Sequence, residues 1–380
     1  MTSISTTGPQ DAPGAPGGAG TAPAPDAPAA GRAARRSRRS GGGLGSYLLV
    51  RFLLIIPTIF ILVTTVFVLM RATGDPITAA LGGRLPADQL AERIHAAGYD
   101  RPILTQYWEY LTNLLHGDFG TTLSDHRPVT EVLTTFGAAT LELSVYALVV
   151  AFIVGIPLGL AAAYFRDRVP DALLRVFAIA CYATPVFFAG LLLKLVFAVQ
   201  LDVLPVAGRA STRSEIAMRQ LDHPTGIYLI DAIRTGNGEV VADVLQHAVL
   251  PALALGLLTA GVFLRLVRTN VIGTLGSGYV DAARSRGVRE SRLLRKHAYR
   301  PALIPIVTVI GMQVAMLLVG AVLTETTFEW RGLGFQLSEY LQARDFVAVQ
   351  GIVVMLAVIV ALTNFLVDVI AALIDPRVRY

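Results

Sequence analysis

The sequence predicts an all-α integral membrane protein with six transmembrane helices and both termini cytoplasmic. Three observations carry this. Apolar residues make up 54% of the 380 residues and charged residues only 16%, against roughly 25% charged in soluble chains. The charge is missing from long runs, and a hydrocarbon core ~30 Å thick needs about 20 such residues per helix. The basic residues gather between these runs and mostly on alternate sides of them. Mean hydropathy is +0.59.

Residues 1–43 are rich in Pro, Ala, Gly, Ser and Thr and end in the cluster Arg32, Arg35, Arg36, Arg38 and Arg39. Such a stretch cannot bury enough apolar surface to fold, so it reads as a disordered cytoplasmic tail. A cleaved signal peptide is disfavoured by the long lead-in and the span-length apolar run that follows. The paired arginines are better explained as a cytoplasmic charge anchor than as a twin-arginine signal. The first helix occupies 44–71; Phe52 to Met70 carries no charge and reaches about 28 Å as a helix.

The hydrophobic runs predict spans at 47–70, 138–165, 174–200, 244–268, 301–324 and 347–374. Pro57, Pro157, Pro185, Pro251 and Pro305 lie in or near them, which neighbouring helices can accommodate. Segment 72–135 reads as an extracytoplasmic loop long enough for short helices at 87–97 and 103–116. Residues 71–137 hold eight acids against five arginines, and 201–243 hold six against four. On the opposite side lie Arg166, Arg168 and Arg175, nine Arg or Lys within 265–300, and Arg377 and Arg379. That asymmetry sets the orientation. The net charge of +5 is almost all arginine, and its place at span ends suits membrane lipid rather than nucleic acid.

The loop 278–300 is the most informative segment. Asp281-Ala282-Ala283 is followed by Gly287. An acid suits the start of a short helix, paired alanines let that helix lie deep in a partner's groove, and Gly287 can end it. Ser277 is a candidate N-cap. A generic positive-inside loop with a chance Ala-Ala fits the spacing equally well.

Other residues admit two readings. Glu142, Gln313 and Glu325 fall within or at the ends of spans, and intramembrane polar groups face a pathway or a partner. They either line a substrate route or hydrogen-bond between helices; the second reading is the simpler for each. Lys194 can snorkel outward, and Asp368 can pair with a loop arginine. The six histidines lack metal-site spacing, and no Gly-x-Ser-x-Gly elbow appears. The single cysteine, Cys181, admits no internal disulfide.

The segment resembles the coupling loop of ABC importer permeases, whose hallmark is acid-Ala-Ala-x-x-x-Gly. It is most similar to the dipeptide, oligopeptide and nickel branch, through Tyr279-Val280, Ala283-Arg284, Arg286-Gly287, His297-Ala298, Arg300, Ala302-Leu303 and Pro305. Further landmarks are Asp118-Phe119-Gly120, Ala139-Thr140-Leu141-Glu142-Leu143, Gly155-Ile156-Pro157-Leu158-Gly159, Leu250-Pro251-Ala252-Leu253-Ala254-Leu255-Gly256, Gly332-Leu333-Gly334, Arg344-Asp345, Val349-Gln350-Gly351 and Asp375-Pro376-Arg377. They run from about residue 47 to the end. The acid is Asp281 where Glu is usual, Gly278 stands where an acid is common, and Arg286 replaces Lys.

The resemblance implies a type I importer permease fold, with a permease domain over 136–375. It implies a subunit that forms, with a second homologous permease, a pathway for di- or oligopeptides by alternating access. Tyr279, Asp281, Ala282, Ala283, Arg284, Arg286 and Gly287 then couple to two ATPase subunits. An extracytoplasmic substrate-binding protein delivers cargo, and the setting is the bacterial cytoplasmic membrane. No phosphate-gripping Gly-x-x-x-x-Gly-Lys-Ser/Thr loop occurs in the chain. The chain is therefore expected to be no enzyme and to hold no cofactor, with ATP and Mg on the partners. Nickel chelate, haem or another solute is an alternative cargo. A self-contained channel or secondary transporter is a different class of reading, and an intramembrane enzyme the remotest.

Overall fold

The computed structural model describes residues 44–83 and 85–374. The tail 1–43 and the Asp375-Pro376-Arg377 landmark lie outside the described residues.

Helix α1 (Leu44–Ala72) is followed by three short helices, α2 (Pro76–Leu81), α3 (Ala87–Ala96) and α4 (Ile103–Leu115). The latter two match the helices expected in the first loop. Helix α5 (Val129–Tyr164) leads through a short turn to α6 (Val169–Ala183) and α7 (Val186–Leu193), which continues as a π-helix over Lys194–Gln200. Two small helices follow, α8 (Thr212–Arg219) and α9 (Tyr228–Arg234), and then α10 (Gly238–Leu275). The basic loop contains α11 (Gly278–Ser285), the single turn α12 (Glu290–Arg292) and a π-helix over Leu293–Ala298. Helices α13 (Tyr299–Phe328), α14 (Leu333–Gln342) and α15 (Phe346–Ile374) complete the described chain.

Among the described residues, α1, α5, α10 and α15 are each long and apolar enough to cross a membrane, and the pair α6–α7 makes a fifth span if counted as one. The unbroken span expected at 174–200 is not what forms. The chain turns by 106° between α6 and α7. Pro185 disfavours helical geometry in the residue before it, and Thr184 is extended at φ −79° and ψ 124°. Pro57, Pro157 and Pro251 sit inside continuous helices. The helices also start earlier than the apolar runs suggest, α5 at Val129 and α10 at Gly238; buried Val129, Val132 and Leu133 in the one, and Val240 and Val244 in the other, carry the packed face past the polar residues interleaved with them.

Helices α5 and α10 form the central pair. A Cβ on Gly155 would lie 2.7 Å from the Ala260 carbonyl oxygen, and one on Gly256 would lie 2.6 Å from that of Ala147. Small residues are what allow backbones to approach this closely where lipid supplies no hydrophobic drive between helices. The motif Gly155-Ile156-Pro157-Leu158-Gly159 is thus a packing surface.

The two ends of this bundle differ. At one end, the connections 118–128, 201–237 and 329–345 converge on the N-terminal part of α5. At the other, Asp171 in the first turn of α6 takes two bonds from Arg268 of α10, at 2.6 and 2.8 Å. Asp171 is fully buried. The π-helix after α12 packs there too, its Leu294 and Ala298 clustering with Ala163, Val267 and Val271.

Candidate functional site

The basic loop presents an exposed helical turn on buried anchors. Val280 and Leu293 are fully buried and fix the loop to the bundle. Tyr279, Asp281, Ala282, Arg284, Arg286 and Gly287 are exposed, and Ala283 is half-buried. All seven residues expected to couple to a motor therefore lie on one short stretch, six of them on the surface.

The end of α11 explains the glycine. Gly287 has φ +79°, its N–H donates to the Arg284 carbonyl at 2.9 Å, and the Val288 N–H donates to the Ala283 carbonyl at 3.3 Å. This is a Schellman cap, in which the residue after the helix adopts a left-handed conformation that favours glycine. A Cβ at Gly287 would meet nothing within 4 Å, so its surroundings within this chain are open.

Arg284 joins the halves of the loop, donating to Asp281 at 2.5 Å and to Glu290 at 2.6 Å. Ser277 does not cap α11 through its side chain, contrary to expectation. Its Oγ instead donates to the Thr274 carbonyl at 2.6 Å, while its backbone carbonyl accepts from Val280 and Asp281.

At the opposite end, Glu142 is buried and saturated. Arg209 Nη2 donates to its Oε2 at 2.5 Å. The backbone N–H groups of Leu229 and Tyr228 donate to it at 2.8 and 3.2 Å, and the Tyr146 hydroxyl at 2.9 Å. Arg209 also donates to the Gly226 carbonyl at 2.9 Å. Its guanidinium lies 3.6 Å from the Tyr228 ring centre and 5.5 Å from that of Trp330.

Glu325 is fully buried and accepts from the Thr140 hydroxyl at 2.7 Å and the Phe335 N–H at 2.9 Å. Thr140 accepts in turn from the Leu333 N–H at 2.8 Å. The carboxylate thus sits at the N-terminus of α14, where the helix field favours a negative charge. Gln313 is buried in α13 at 9% exposure and joins neither knot.

Sequence reasoning missed Arg209, Thr140 and Trp330 as structural partners. Arg209 counted only as one loop charge among several. Trp330 donates from Nε1 to the Ala139 carbonyl at 3.0 Å. Asp345 was a further silent participant: it accepts from the Leu123 and Ser124 N–H groups at 2.6 and 2.9 Å and caps α15 through Ala348. Beside Arg209 opens a cavity of about 770 Å³, which Glu215, Arg219, Glu329 and Arg331 also line.

A family model for binding-protein-dependent transport system inner membrane components matches residues 155–380. The model for the N-terminal part of such components matches 45–131. The chain belongs to this family.

It is 37% identical over 338 residues to the dipeptide transport system permease protein DppB of Escherichia coli strain K12, covering 88% of this chain and 99% of that one. It is 40% identical over 306 residues to the probable D,D-dipeptide transport system permease protein DdpB of the same strain, covering 80% and 88%. Among solved structures, the MetNI methionine ABC transporter in an inward-facing form aligns with a TM-score of 0.47 at 15% identity, over 62% of this chain and 93% of that chain. The chain is accordingly a permease subunit of an ABC importer in the bacterial inner membrane.

Proposed function

We propose that this permease carries di- or oligopeptides. It would do so as one half of a two-permease pathway that alternates between inward and outward access. The dipeptide transport for which DppB and DdpB are named supports the cargo class. In this reading α13 and the bent α6–α7 pair complete six spans, and the basic end with both termini faces the cytoplasm. The sequence divides accordingly into the tail 1–43, the first span 44–71, an extracytoplasmic loop 72–135 and the permease domain 136–375.

The observation that carries the mechanism is the exposed turn from Tyr279 to Gly287, set on the buried anchors Val280 and Leu293. A rigid, solvent-facing turn with small residues at Ala282 and Ala283 suits docking in a groove of an ATPase subunit. Closure of two such subunits on ATP and Mg would move the turn and, through its anchors, the bundle. A substrate-binding protein would dock at the opposite end. Glu142 and Glu325 then serve as ties between spans and loops, not as cargo ligands, because their carboxylates are consumed by internal donors. Gln313 remains the candidate of that group for contact with cargo.

The test is uptake of labelled peptide in a deletion strain that expresses this chain with its neighbours, alongside metal-chelate uptake. Peptide uptake lost in the deletion and restored by the gene supports the reading. Restoration of chelate uptake alone overturns the cargo assignment. Transport by liposomes holding only this polypeptide overturns the coupling.

A further inference from the structure

Helix α4 presents an apolar face that no described residue covers. Leu104, Trp108 and Leu115 are 81%, 68% and 86% exposed. At about 100° per residue, these three and Leu111 fall within an arc of about 60°. The one charged side chain of the helix, Glu109, lies well away from that arc and is held by Arg101 at 2.6 Å. The stripe is therefore apolar from end to end, and an exposed stripe of this kind marks a surface that meets something.

What it meets follows from where α4 sits along α1. The Tyr107 hydroxyl lies 2.5 Å from Thr64 Oγ1. Thr64 donates its own proton to the Phe60 carbonyl at 2.7 Å, so Tyr107 is the donor between them. The Phe67 ring centre lies 5.1 Å from that of Tyr107 and 5.5 Å from that of Tyr110. The tyrosines of α4 thus fasten it to α1, on the flank beside the apolar stripe.

Helix α1 carries its own depth scale. It is apolar enough to cross a membrane, and its charged residues are Arg51 and Arg71. They bracket about 30 Å of helix, the thickness of a hydrocarbon core. Thr64 stands about 10 Å inward of Arg71, and its hydroxyl points further inward, toward Phe60. A tyrosine side chain is shorter than that distance. The backbone of α4 at Tyr107 therefore lies inward of Arg71, within the membrane boundary.

The neighbouring helix differs. Helix α3 exposes Asp88, Glu92, Arg93 and His95 and has no buried residue, as a helix in water would. Helix α4 exposes Leu104, Trp108 and Leu115 instead, so the water boundary passes between the two. Lipid already stands at this level, because α1 exposes Val68 and Leu69 there. Tryptophan is enriched at this depth, where its ring has apolar and wet surroundings at once.

We propose that α4 is an interfacial helix. It lies in the headgroup–acyl boundary of the leaflet that receives the C-terminal end of α1, with Leu104, Trp108 and Leu115 against lipid. Helices of this type bury their apolar face about 5–10 Å into that boundary. In the orientation proposed above this is the outer leaflet. The helix then fastens the end of α1 to the membrane surface, and its apolar stripe is withdrawn from any protein that docks on the 72–135 loop.

The chain holds two tryptophans, and the other, Trp330, is fully buried. The test therefore reads Trp108 fluorescence of the full chain in phosphatidylcholine nanodiscs, alone and assembled with the second permease, after subtracting the signal of Trp108→Phe. The quenchers are phosphatidylcholine with a nitroxide near the headgroup, the same lipid with a nitroxide at the chain end, and aqueous acrylamide. The headgroup-side nitroxide should quench Trp108 about twofold or more, beyond the chain-end label, with little effect of acrylamide. The double variant Leu104→Asp, Leu115→Asp should weaken the lipid quenching and raise that by acrylamide, because charge is costly against acyl chains. Strong acrylamide quenching without lipid quenching overturns the proposal by placing the face in water. Loss of lipid quenching in the presence of the second permease overturns it by placing the face against protein. Stronger quenching by the chain-end label, or an unchanged signal in the double variant, also overturns it. Both leaflets carry the label, so the outcome stands apart from the orientation proposed above.

Discussion

Arg209 and Glu142 meet 2.5 Å apart although 67 positions separate them, and both side chains are almost wholly out of solvent, at 7% and 2% exposure. The pair ties the connection between α7 and α10 to the wall of α5. The Tyr228 and Trp330 rings beside the guanidinium and the N–H groups of Tyr228 and Leu229 on the carboxylate make it a junction of three segments.

Removing one partner of a buried ion pair strands the other charge, at a cost of roughly 3–5 kcal/mol. Arg209→Met should therefore destabilise the chain by that order and expose 201–237 to protease. The double variant Arg209→Met, Glu142→Gln should recover part of the loss, because the stranded charge is gone. Thermal unfolding in detergent and limited proteolysis measure both.

Thr140→Val keeps the shape and removes a hydroxyl that serves Glu325 and the Leu333 N–H together. Each buried group left unsatisfied costs about 1–3 kcal/mol. A lowered unfolding midpoint is expected, with Thr140→Ser restoring most of it. Equal midpoints for Val and Ser would show that the hydroxyl carries no weight.

Gly256→Leu should prevent correct assembly of the α5–α10 pair. Even a Cβ would lie 2.6 Å from the Ala147 carbonyl oxygen and 2.8 Å from Val150 Cβ. Overpacking of this kind costs typically ~1–3 kcal/mol and more where backbone blocks relaxation. Loss of the monodisperse peak in fluorescence-detected size exclusion is the expected readout, with Gly273→Leu, which has open space around it, as the contrasting variant.

At Gly287 a left-handed residue is required but space is free, so fold and partnership separate. Gly287→Asn should preserve the cap, since Asn tolerates this conformation. Gly287→Arg should cost the isolated chain about 1–2 kcal/mol of local strain yet abolish co-purification with an ATPase subunit. Retention of both assembly and peptide uptake in the arginine variant would remove the case for coupling through this turn.

Much of this architecture was legible in the chain. The helices at Ala87–Ala96 and Ile103–Leu115 follow from local pattern between turn residues. The exposed Asp281–Gly287 turn follows from an acid, two alanines and a glycine in order. The corner at Thr184–Pro185 was not legible, because apolar residues flank it on both sides and three other prolines leave their helices unbroken. Partnerships such as Arg209 with Glu142 and Asp345 with Ser124 were hidden for another reason: they join residues distant in sequence, and hydrophobic periodicity carries no information about which loop folds back on which span. The Ser277 side chain illustrates a local competition, as a carbonyl one turn earlier captures the hydroxyl that a cap would use.

The knot around Arg209 has a mechanical corollary. Helix α5 has 36 residues and so extends about 54 Å. Fastened at Glu142, it has a free arm from there to Tyr164 of about 33 Å, whose tip sweeps ~3 Å for a tilt of ~5°. Under the proposed coupling, a push beneath α11 moves the free end of this rod most and the fastened end least, and the stiffness of the fastening sets how much of the stroke reaches the far side.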